Sequence, residues 1–270
     1  MMQDFLEISG LTDVGKVRQF NEDQIGIDAE TGTVLVADGM GGHHAGEVAS
    51  RMATDMIMAD LHARIDQLGP GAGSITPLYA ADQAIKRANR AVFAASQTQT
   101  AYHGMGTTLA LAIFHDNNVV LAHVGDSRIY RLRGNVLQLL TRDDSMLRDQ
   151  VDLGFISAAD ASESHNRSLV TRAIGAAENV KVHLRDERVL PGDIFLVCSD
   201  GLTDIVEERD IELILSSLRT NLPLACLHLI QTAKDNGGYD NVSAILVRVL
   251  ERFPAGQRSR FLAWLRSLFN

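Results

Sequence analysis

The chain has 270 residues, and its 46% hydrophobic and 22% charged content is typical of a globular protein whose core suffices for one domain. Its formal net charge of -9 disfavours a nucleic-acid-binding protein, whose surface usually has a basic face. The first residues lack a basic segment followed by an apolar one, and no apolar run approaches the roughly 18 to 20 residues of a membrane span, so we expect a cytoplasmic protein without a transmembrane segment.

The N-terminal part, residues 5 to 36, contains short strand-like pieces broken by Gly10, Gly15, Gly26 and Gly32. Among these pieces, the segment DVGKVRQFNEDQIGI places Arg18, Glu22 and Asp23 within six positions. Taken alone, the segment is better explained as a solvated polar loop that leads into a strand. Its meaning therefore depends on the carboxylates elsewhere in the chain.

The most informative stretch is TVLVADGMGGHHAGEVAS, residues 33 to 50. An apolar strand pattern runs into Asp38, a glycine-rich turn follows, and a helical pattern begins at Gly46 and Glu47. The glycines at 39, 41 and 42 remove side chains beside Asp38, so a backbone carbonyl can approach a hard cation held by this carboxylate. An ordinary turn after a strand is the alternative interpretation.

Two helices are predicted next, because the apolar residues from 47 to 68 follow helical spacing and Thr76-Pro77 is typical of a helix start. The apolar runs and short turns of residues 106 to 141 predict successive antiparallel strands, with Asp126 at a glycine-marked kink. Residues 143 to 180 are more polar, include a predicted short helix near 145 to 153, and form an excursion from the main fold.

The apolar run IFLVC leads into Ser199-Asp200-Gly201, which repeats the arrangement at Asp38, and it is followed by helical patterns near 208 to 219 and 223 to 235. Asp240 then stands just before the last apolar strand. Carboxylates that converge at strand ends need cations, since like charges raise each other's pKa. Ligands that are all oxygen favour Mg²⁺ or Mn²⁺, and two such ions about 3.5 to 4 Å apart can activate water and bind a phosphoryl group.

Seven ordered motifs over about residues 8 to 249 resemble the metal-dependent protein phosphatases of type 2C in their bacterial stand-alone form. They are R-x-x-x-E-D, VADGMGG with HxAGE behind it, GMGTT, VGDSR, SLVTRAIG, SDGLTD and DNVS. The resemblance implies an α+β fold in which two packed antiparallel sheets are flanked by pairs of antiparallel helices. It also implies hydrolysis of phosphoserine and phosphothreonine in proteins, at a dinuclear Mn²⁺ or Mg²⁺ centre, usually in opposition to a bacterial Ser/Thr kinase.

The same resemblance implies a role for each matched residue. Asp38 would bridge the two ions, the Gly39 carbonyl and Glu22 would serve one ion, and Asp200 and Asp240 would hold the other. Asp23 would bind metal-held water, and Arg18 would bind the phosphate with its planar set of donors. Asp126 and Asp204 would hold a weaker third ion.

The chain departs from the family at two positions. Met40 stands where some eukaryotic members carry a general-acid histidine, which leaves the source of the leaving-group proton open. Either metal-bound water or one of His43 and His44 would supply it, although the histidines are better explained as turn and helix-start residues. Asp144 stands where many bacterial relatives have histidine, and this change concerns the contacts of the flap, residues 143 to 180.

Other function classes are disfavoured by residue spacing, by charge or by the carboxylates that are present. A thiol phosphatase needs Cys-x5-Arg, but the residues six positions after Cys198 and Cys226 are Asp204 and Thr232. A nucleotide-binding loop would need Lys and Ser or Thr after its last glycine, and here Glu47 follows Gly46. A two-metal nuclease would need a basic groove, and a non-catalytic phosphoprotein binder would be expected to lack Asp38, Asp200 or Asp240.

The predicted phosphatase domain covers residues 1 to 250, and a basic amphipathic tail covers 251 to 270. The tail has four arginines against one glutamate, with its large apolar residues on one side of a helical wheel. It is either a helix that docks on a partner or membrane surface or a terminal helix that folds back on its own domain.

Overall fold

The computed structural model describes residues 2–42, 44–65, 76–157 and 169–253. In chain order its strands are β1 (Leu6–Asp13), β2 (Asp23–Asp28), β3 (Thr33–Met40), β4 (Gly106–Thr107), β5 (Leu109–His115), β6 (Asn118–Val124), β7 (Arg128–Arg133), β8 (Val136–Leu139), β9 (His183–Arg188), β10 (Ile194–Cys198) and β11 (Val242–Val249). Its α-helices are α1 (Ala45–Ile65), α2 (Pro77–Thr98), α3 (Met146–Asp152), α4 (Asp200–Thr203), α5 (Glu208–Ser217) and α6 (Leu222–Asp235).

The strands form two antiparallel sheets. Sheet I has the order β1-β11-β10-β7-β8, and sheet II has the order β2-β3-β5-β6-β9 with β4 paired to β3. One apolar cluster lies between the sheets and includes Val36, Phe114, Phe195 and Val247. These two packed sheets confirm the predicted sandwich. Each sheet can bury its second, outer face only if helices cover it.

Helices α1 and α2 cover sheet II, and helices α5 and α6 cover sheet I. The predicted apolar stripe of α1 is buried through Ala49, Ala53, Ile57 and Leu61. Met56, another apolar residue of this helix, is 36% exposed. The predicted start of α2 is confirmed, since the Thr76 side chain accepts a hydrogen bond from the Tyr79 backbone N–H and Pro77 is the first helical residue.

The strand pattern across Asp126 was expected to be one kinked strand, and this expectation is wrong. β6 belongs to sheet II and β7 to sheet I, so the segment Gly125–Ser127 carries the chain from one sheet to the other. Asp126 therefore lies at one end of the sandwich, where the chain passes from sheet II to sheet I. Local strand propensity contains no information about which sheet a strand joins, because that choice depends on distant partners.

Two other details differ from the sequence predictions. Gly10 and Gly26 lie inside β1 and β2 and do not break them. Asp38 lies within β3, because this strand continues through Gly39 and Met40, which pair with β4. Asp38 itself pairs with β2, and the two residues after it pair with β4, so strand pairing holds its backbone in place.

The predicted domain boundary at residue 250 falls slightly short of the core. The Phe253 side chain is 4% exposed and packs edge-on against Phe5 and Phe114. Its backbone N–H donates to Asn117 Oδ1 at 2.8 Å. Of the predicted tail, residues 251 to 270, the part from 254 to 270 lies outside the described part of the chain, so both of its interpretations stay predictions.

The excursion after residue 143 begins as predicted with a short helix, α3, whose N-cap Ser145 accepts from the Arg148 N–H at 3.2 Å. Residues 158–168 of the same segment lie outside the described part. Among the helices that the structure describes, none combines the length and the apolar character that a bilayer crossing requires.

Candidate metal centre

Strand pairing places the first two carboxylates side by side. Asp23, the first residue of β2, lies directly opposite Asp38 in β3. Opposite residues of an antiparallel pair project from the same face of the sheet, about 4.5 to 5.5 Å apart at their β-carbons. The backbone of Asp38 is fixed by β4 and the residue after it, because Thr107 Oγ1 and the Thr108 N–H both donate to the Asp38 carbonyl at 2.8 Å.

Asp200 reaches the same place from sheet I. It follows β10 and is the first residue of the short helix α4, which the sequence patterns did not predict. Its carboxyl group is a near neighbour of that of Asp38, and each perturbs the pKa of the other. The next residue is Gly201, where a β-carbon would overlap the carbonyl oxygen of Asn241, so glycine is required for α4 to pack against the segment that carries Asp240.

Asp240 lies just before β11 and pairs with Arg18. Arg18 Nη2 donates to Asp240 Oδ2 at 2.7 Å, and both side chains are about half exposed, at 51% and 40%. This contact raises the pKa of Arg18, with smaller contributions from Glu22 and Asp38. An exposed, permanently charged guanidinium thus lies at the open edge of the carboxylate cluster, where an anionic ligand would meet it.

Glu22 is brought in by close packing of backbone. The Gly39 N–H donates to the Glu22 carbonyl at 3.1 Å, and a β-carbon on Gly39 would overlap the Gly46 carbonyl. A β-carbon on Gly46 would lie 2.6 Å from Glu22 Oε1. Glycine is therefore required at 39 and 46 by close packing of backbone and of the Glu22 carboxylate, while the approach of a carbonyl to a cation beside Asp38 stays a prediction.

Asn241 is a structural residue of the site that sequence reasoning missed. Its side chain donates to the Val14 and Phe20 carbonyls at 3.0 and 2.9 Å and accepts from the Glu22 N–H at 2.8 Å. It thereby fixes the β1–β2 loop, which carries Arg18 and Glu22, against Asp240. Its position next to Asp240 in the DNVS motif could have indicated a role at the site. Its hydrogen-bond partners could not be predicted, because they lie more than 200 residues away in the chain.

The carboxylates repel one another. Burial raises the pKa of Asp38 well above its usual range, with further contributions from Asp23 and Asp200. Burial also raises the pKa of Asp23 to about 7, against hydrogen bonds from Ser243 and Ser199 that lower it. The pKa values of Asp200 and Glu22 are raised as well, in both cases chiefly by burial.

These residues fit a hard divalent cation by the chemistry of their oxygens. Buried oxygens of three carboxylates, Glu22 Oε1, Asp23 Oδ1 and Asp200 Oδ1, have no hydrogen-bond partner. Buried polar atoms are nearly always satisfied, so this concentration needs an explanation. Among the described residues no group of three or more acidic, histidine or cysteine side chains is closed around a common point. The side chains are neighbours, and bound cations would draw them together by replacing repulsion with attraction.

Asp126 lies beside Asp200, 6% exposed, and its pKa is raised to about 8 by burial and by the neighbouring Asp200 and Asp143 charges. A cavity of about 510 Å³ opens beside it and is bordered by Asp126, Asp200 and Asp204. The structure therefore brings together the two residues that sequence reasoning assigned to an outer ion. Helix α3 of the flap supplies the opposite wall through Leu147, Arg148 and Val151.

Asp144, the residue that replaces histidine, is fully buried and anchors the flap. It accepts hydrogen bonds from Arg172, from His183 Nε2 at 3.0 Å and from the Gly125 N–H at 3.2 Å. The substitution therefore leaves the flap tied to the strand crossover beside Asp126. An acidic residue suits this place because all of its partners are donors.

Of the two histidines near the glycine turn, His43 lies outside the described residues. His44 is next to the start of α1, its ring packs edge-on against Phe20 at 4.3 Å, and its Nδ1 lies 3.8 Å from Glu47 Oε2. These contacts are those of a helix-start residue. Met40 is adjacent to Gly39 in β3 and has no transferable proton.

Metal binding is expected to release protons and to strengthen as the pH rises through about 7 to 8, because the metal-free site holds protons on Asp23 and Asp126 in that range. Calorimetry with Mg²⁺ in two buffers of different ionisation enthalpy should show more protons released at about pH 6 than at about pH 8.5. Proton release that is equal at both pH values would contradict this prediction.

The same pKa shifts affect the folding stability of the metal-free protein. The pKa values of Asp23 and Asp126 in the folded chain lie above the unfolded value of 3.8, so the stability that these groups contribute is complete below about pH 4 and is lost as the pH rises through 7 to 8.

Comparison with known proteins gives a consistent result. The family model described as protein phosphatase 2C matches residues 15–228. The serine/threonine phosphatase stp of Listeria monocytogenes is 38% identical over 242 residues, which cover 87% of this chain and 93% of the Listeria protein. The crystal structure of the serine/threonine phosphatase PstP/Ppp of Mycobacterium tuberculosis superposes with a TM-score of 0.82 at 35% identity and covers 92% of this chain and 99% of that one. A second structure, of the PstP catalytic domain in complex with two manganese ions, gives a TM-score of 0.79 at 34% identity and covers 92% and 99%.

Proposed function

The chain belongs to the protein phosphatase 2C family and is a metal-dependent serine/threonine protein phosphatase, and we propose that its reaction takes place at the carboxylate cluster around Asp38. One observation carries this assignment of the site. Buried carboxylate oxygens without hydrogen-bond partners lie at one end of the sandwich, next to the exposed guanidinium of Arg18. A cation-dependent phosphatase needs this combination of an oxygen-lined metal site and an adjacent cationic phosphate site.

The cofactor is Mn²⁺ or Mg²⁺, in agreement with the two manganese ions bound to the PstP catalytic domain. Asp38 would serve both ions, since it adjoins both Asp23 in sheet II and Asp200 in sheet I. Glu22 and the Gly39 carbonyl would hold one ion on the sheet II side. Asp200 and Asp240 would hold the other ion on the sheet I side, and Asp23 would hold the water around it.

When bound, the ions supply an activated water and neutralise the charge of the phosphoryl group. The protein's own residues provide position and recognition. Arg18 binds the phosphate oxygens with its fork of donors, which it can do by exchanging part of its contact with Asp240. Ser199 and Ser243 donate to Asp23 Oδ2 at 2.8 and 2.7 Å and leave Oδ1 available to the site.

A third, weaker ion would lie at Asp126 and Asp204, at the edge of the cavity under the flap. Asp126→Ala is expected to remove one weak binding event in calorimetry with Mn²⁺ and to retain the tighter ones, because Asp126 borders the Asp38 cluster without belonging to it. Turnover should fall while the tight sites remain filled. Loss of all metal binding in this variant would instead place Asp126 among the core ligands.

The substrates are phosphorylated proteins, and we propose that a bacterial Ser/Thr kinase supplies them in the cytoplasm. The relatives with this activity are bacterial proteins. We further propose that the phosphatase domain extends through Phe253, which packs in the core between the sheets, with the flap as an insertion and the basic amphipathic tail beyond it. A nucleic-acid substrate is disfavoured by the net charge of -9.

The experiment that tests the proposed function is metal-dependent hydrolysis by the full chain. Purified protein is expected to hydrolyse p-nitrophenyl phosphate and a phosphothreonine peptide with Mn²⁺ or Mg²⁺, and excess EDTA should abolish both activities. Single-stranded DNA should not be cleaved under the same conditions. Phosphatase activity that persists in EDTA would contradict a metal-dependent site.

A further inference from the structure

Three exposed apolar side chains lie on two loops at the open edge of the site. Val17 and Phe20 are on the loop between β1 and β2, and Tyr239 is on the loop between α6 and β11. Their exposed fractions are 61%, 51% and 63%. We call these three residues the apolar rim. Single exposed apolar residues are common, but several of them on neighbouring loops beside a ligand site indicate a binding surface.

The two loops are joined by hydrogen bonds, so the rim is fixed relative to the site. The Lys16 N–H donates to the Gly238 carbonyl at 2.8 Å. Asn241 donates to the carbonyls of Val14 and Phe20. The ring of Phe20 is also held by its edge-on contact with His44 at 4.3 Å. A pre-positioned surface of this kind loses little conformational freedom when it binds.

The position of the rim indicates what it binds. Val17 precedes Arg18, Tyr239 precedes Asp240, and Arg18 contacts Asp240 at 2.7 Å. A phosphorylated side chain that reaches Arg18 therefore brings its neighbouring residues over Val17, Phe20 and Tyr239. All three side chains are uncharged, and two of them are aromatic rings, which bind apolar groups over large areas.

We propose that the apolar rim makes this phosphatase prefer phosphoproteins with apolar residues next to the phosphorylated serine or threonine. This proposal rests on the proposed function, in which Arg18 binds the phosphate. The occupant is the substrate chain on either side of the phosphorylated residue. Apolar side chains of the substrate are removed from water when they contact the apolar rim, and this burial stabilises the enzyme–substrate complex.

The test compares two phosphothreonine peptides that are identical except for the residues immediately before and after the phosphothreonine. One peptide has leucine at both positions, and the other has asparagine, which is close to leucine in size but polar. The wild-type enzyme is expected to show a kcat/KM for the leucine peptide about three- to tenfold higher, mainly through KM, as is usual for partly exposed apolar contacts. The double variant Phe20→Ser, Tyr239→Ser should reduce this ratio to about twofold or less.

The ratio is independent of the fraction of enzyme that is folded, because both peptides meet the same sample. Val136→Ser is the matched control, since Val136 is 67% exposed and lies at the end of sheet I remote from the site. It should retain the wild-type ratio. Equal kcat/KM for the two peptides in the wild type, or a wild-type ratio in the double variant, would overturn the proposed role of the apolar rim. Failure of the proposed function looks different, because p-nitrophenyl phosphate would then not be hydrolysed either.

Discussion

Replacing Asp38 by asparagine is expected to lower kcat/KM for a phosphothreonine peptide by about 10²- to 10³-fold, on the scale found when a preorganised electrostatic partner is removed from a catalytic centre. Asp38 adjoins the carboxylates of both sheets, so its charge is needed by every ion that binds there. Steady-state kinetics with saturating Mn²⁺ and calorimetry of Mn²⁺ binding measure the two consequences. Both activity and tight metal binding should be lost.

The same variant is expected to keep or raise the melting temperature of the metal-free protein. Burial, Asp23 and Asp200 raise the pKa of Asp38, so ionising this group in the folded chain is unfavourable, and asparagine removes that ionisation. Asp55→Asn is the matched control because Asp55 is exposed in the middle of α1. It should change neither activity nor metal binding. A large fall in the melting temperature of metal-free Asp38→Asn would mean that Asp38 is needed for folding.

Replacing Arg18 by alanine is expected to raise KM for phosphopeptides by about 10- to 100-fold, with a smaller fall in kcat. The estimate follows from charge-assisted hydrogen bonds made in both the ground and the transition state. Metal binding should be retained or strengthened, because the variant removes a positive charge that contacts Asp240 at 2.7 Å. Phosphopeptide kinetics and Mn²⁺ calorimetry distinguish the two effects.

Arg219→Ala is a suitable control for this variant. Arg219 is also exposed and also donates from its guanidinium, to Asn135 Oδ1 at 2.6 Å, near the β7–β8 turn at the end of the sandwich away from the site. It should leave KM unchanged. If Arg18→Ala had the KM of the wild type, or if it abolished metal binding, Arg18 would be a structural partner of Asp240 and not a phosphate ligand.

The positions of most elements could be predicted from the sequence because their signals are local. The Thr76-Pro77 start of α2, the buried stripe of α1 and the short helix at 146 to 152 follow from capping chemistry and apolar spacing within a few turns. The carboxylates at strand boundaries were also visible, since each apolar run ends beside one. The ordered motifs then identified the family, and the comparisons confirmed it.

The helices, most strands, the acidic residues available for a cation and the family were all predictable from the amino-acid sequence, because neighbouring residues specify each of these. Which carboxylates meet became visible only in the folded chain. The pairing of Asp23 with Asp38 depends on the register of β2 and β3, and the approach of Asp200 and Asp240 depends on the packing of α4 against Asn241. The tertiary structure also decided that β6 and β7 join different sheets. The physical reason is that register, sheet order and side-chain to backbone hydrogen bonds form between residues far apart in the chain, where local propensity has no influence.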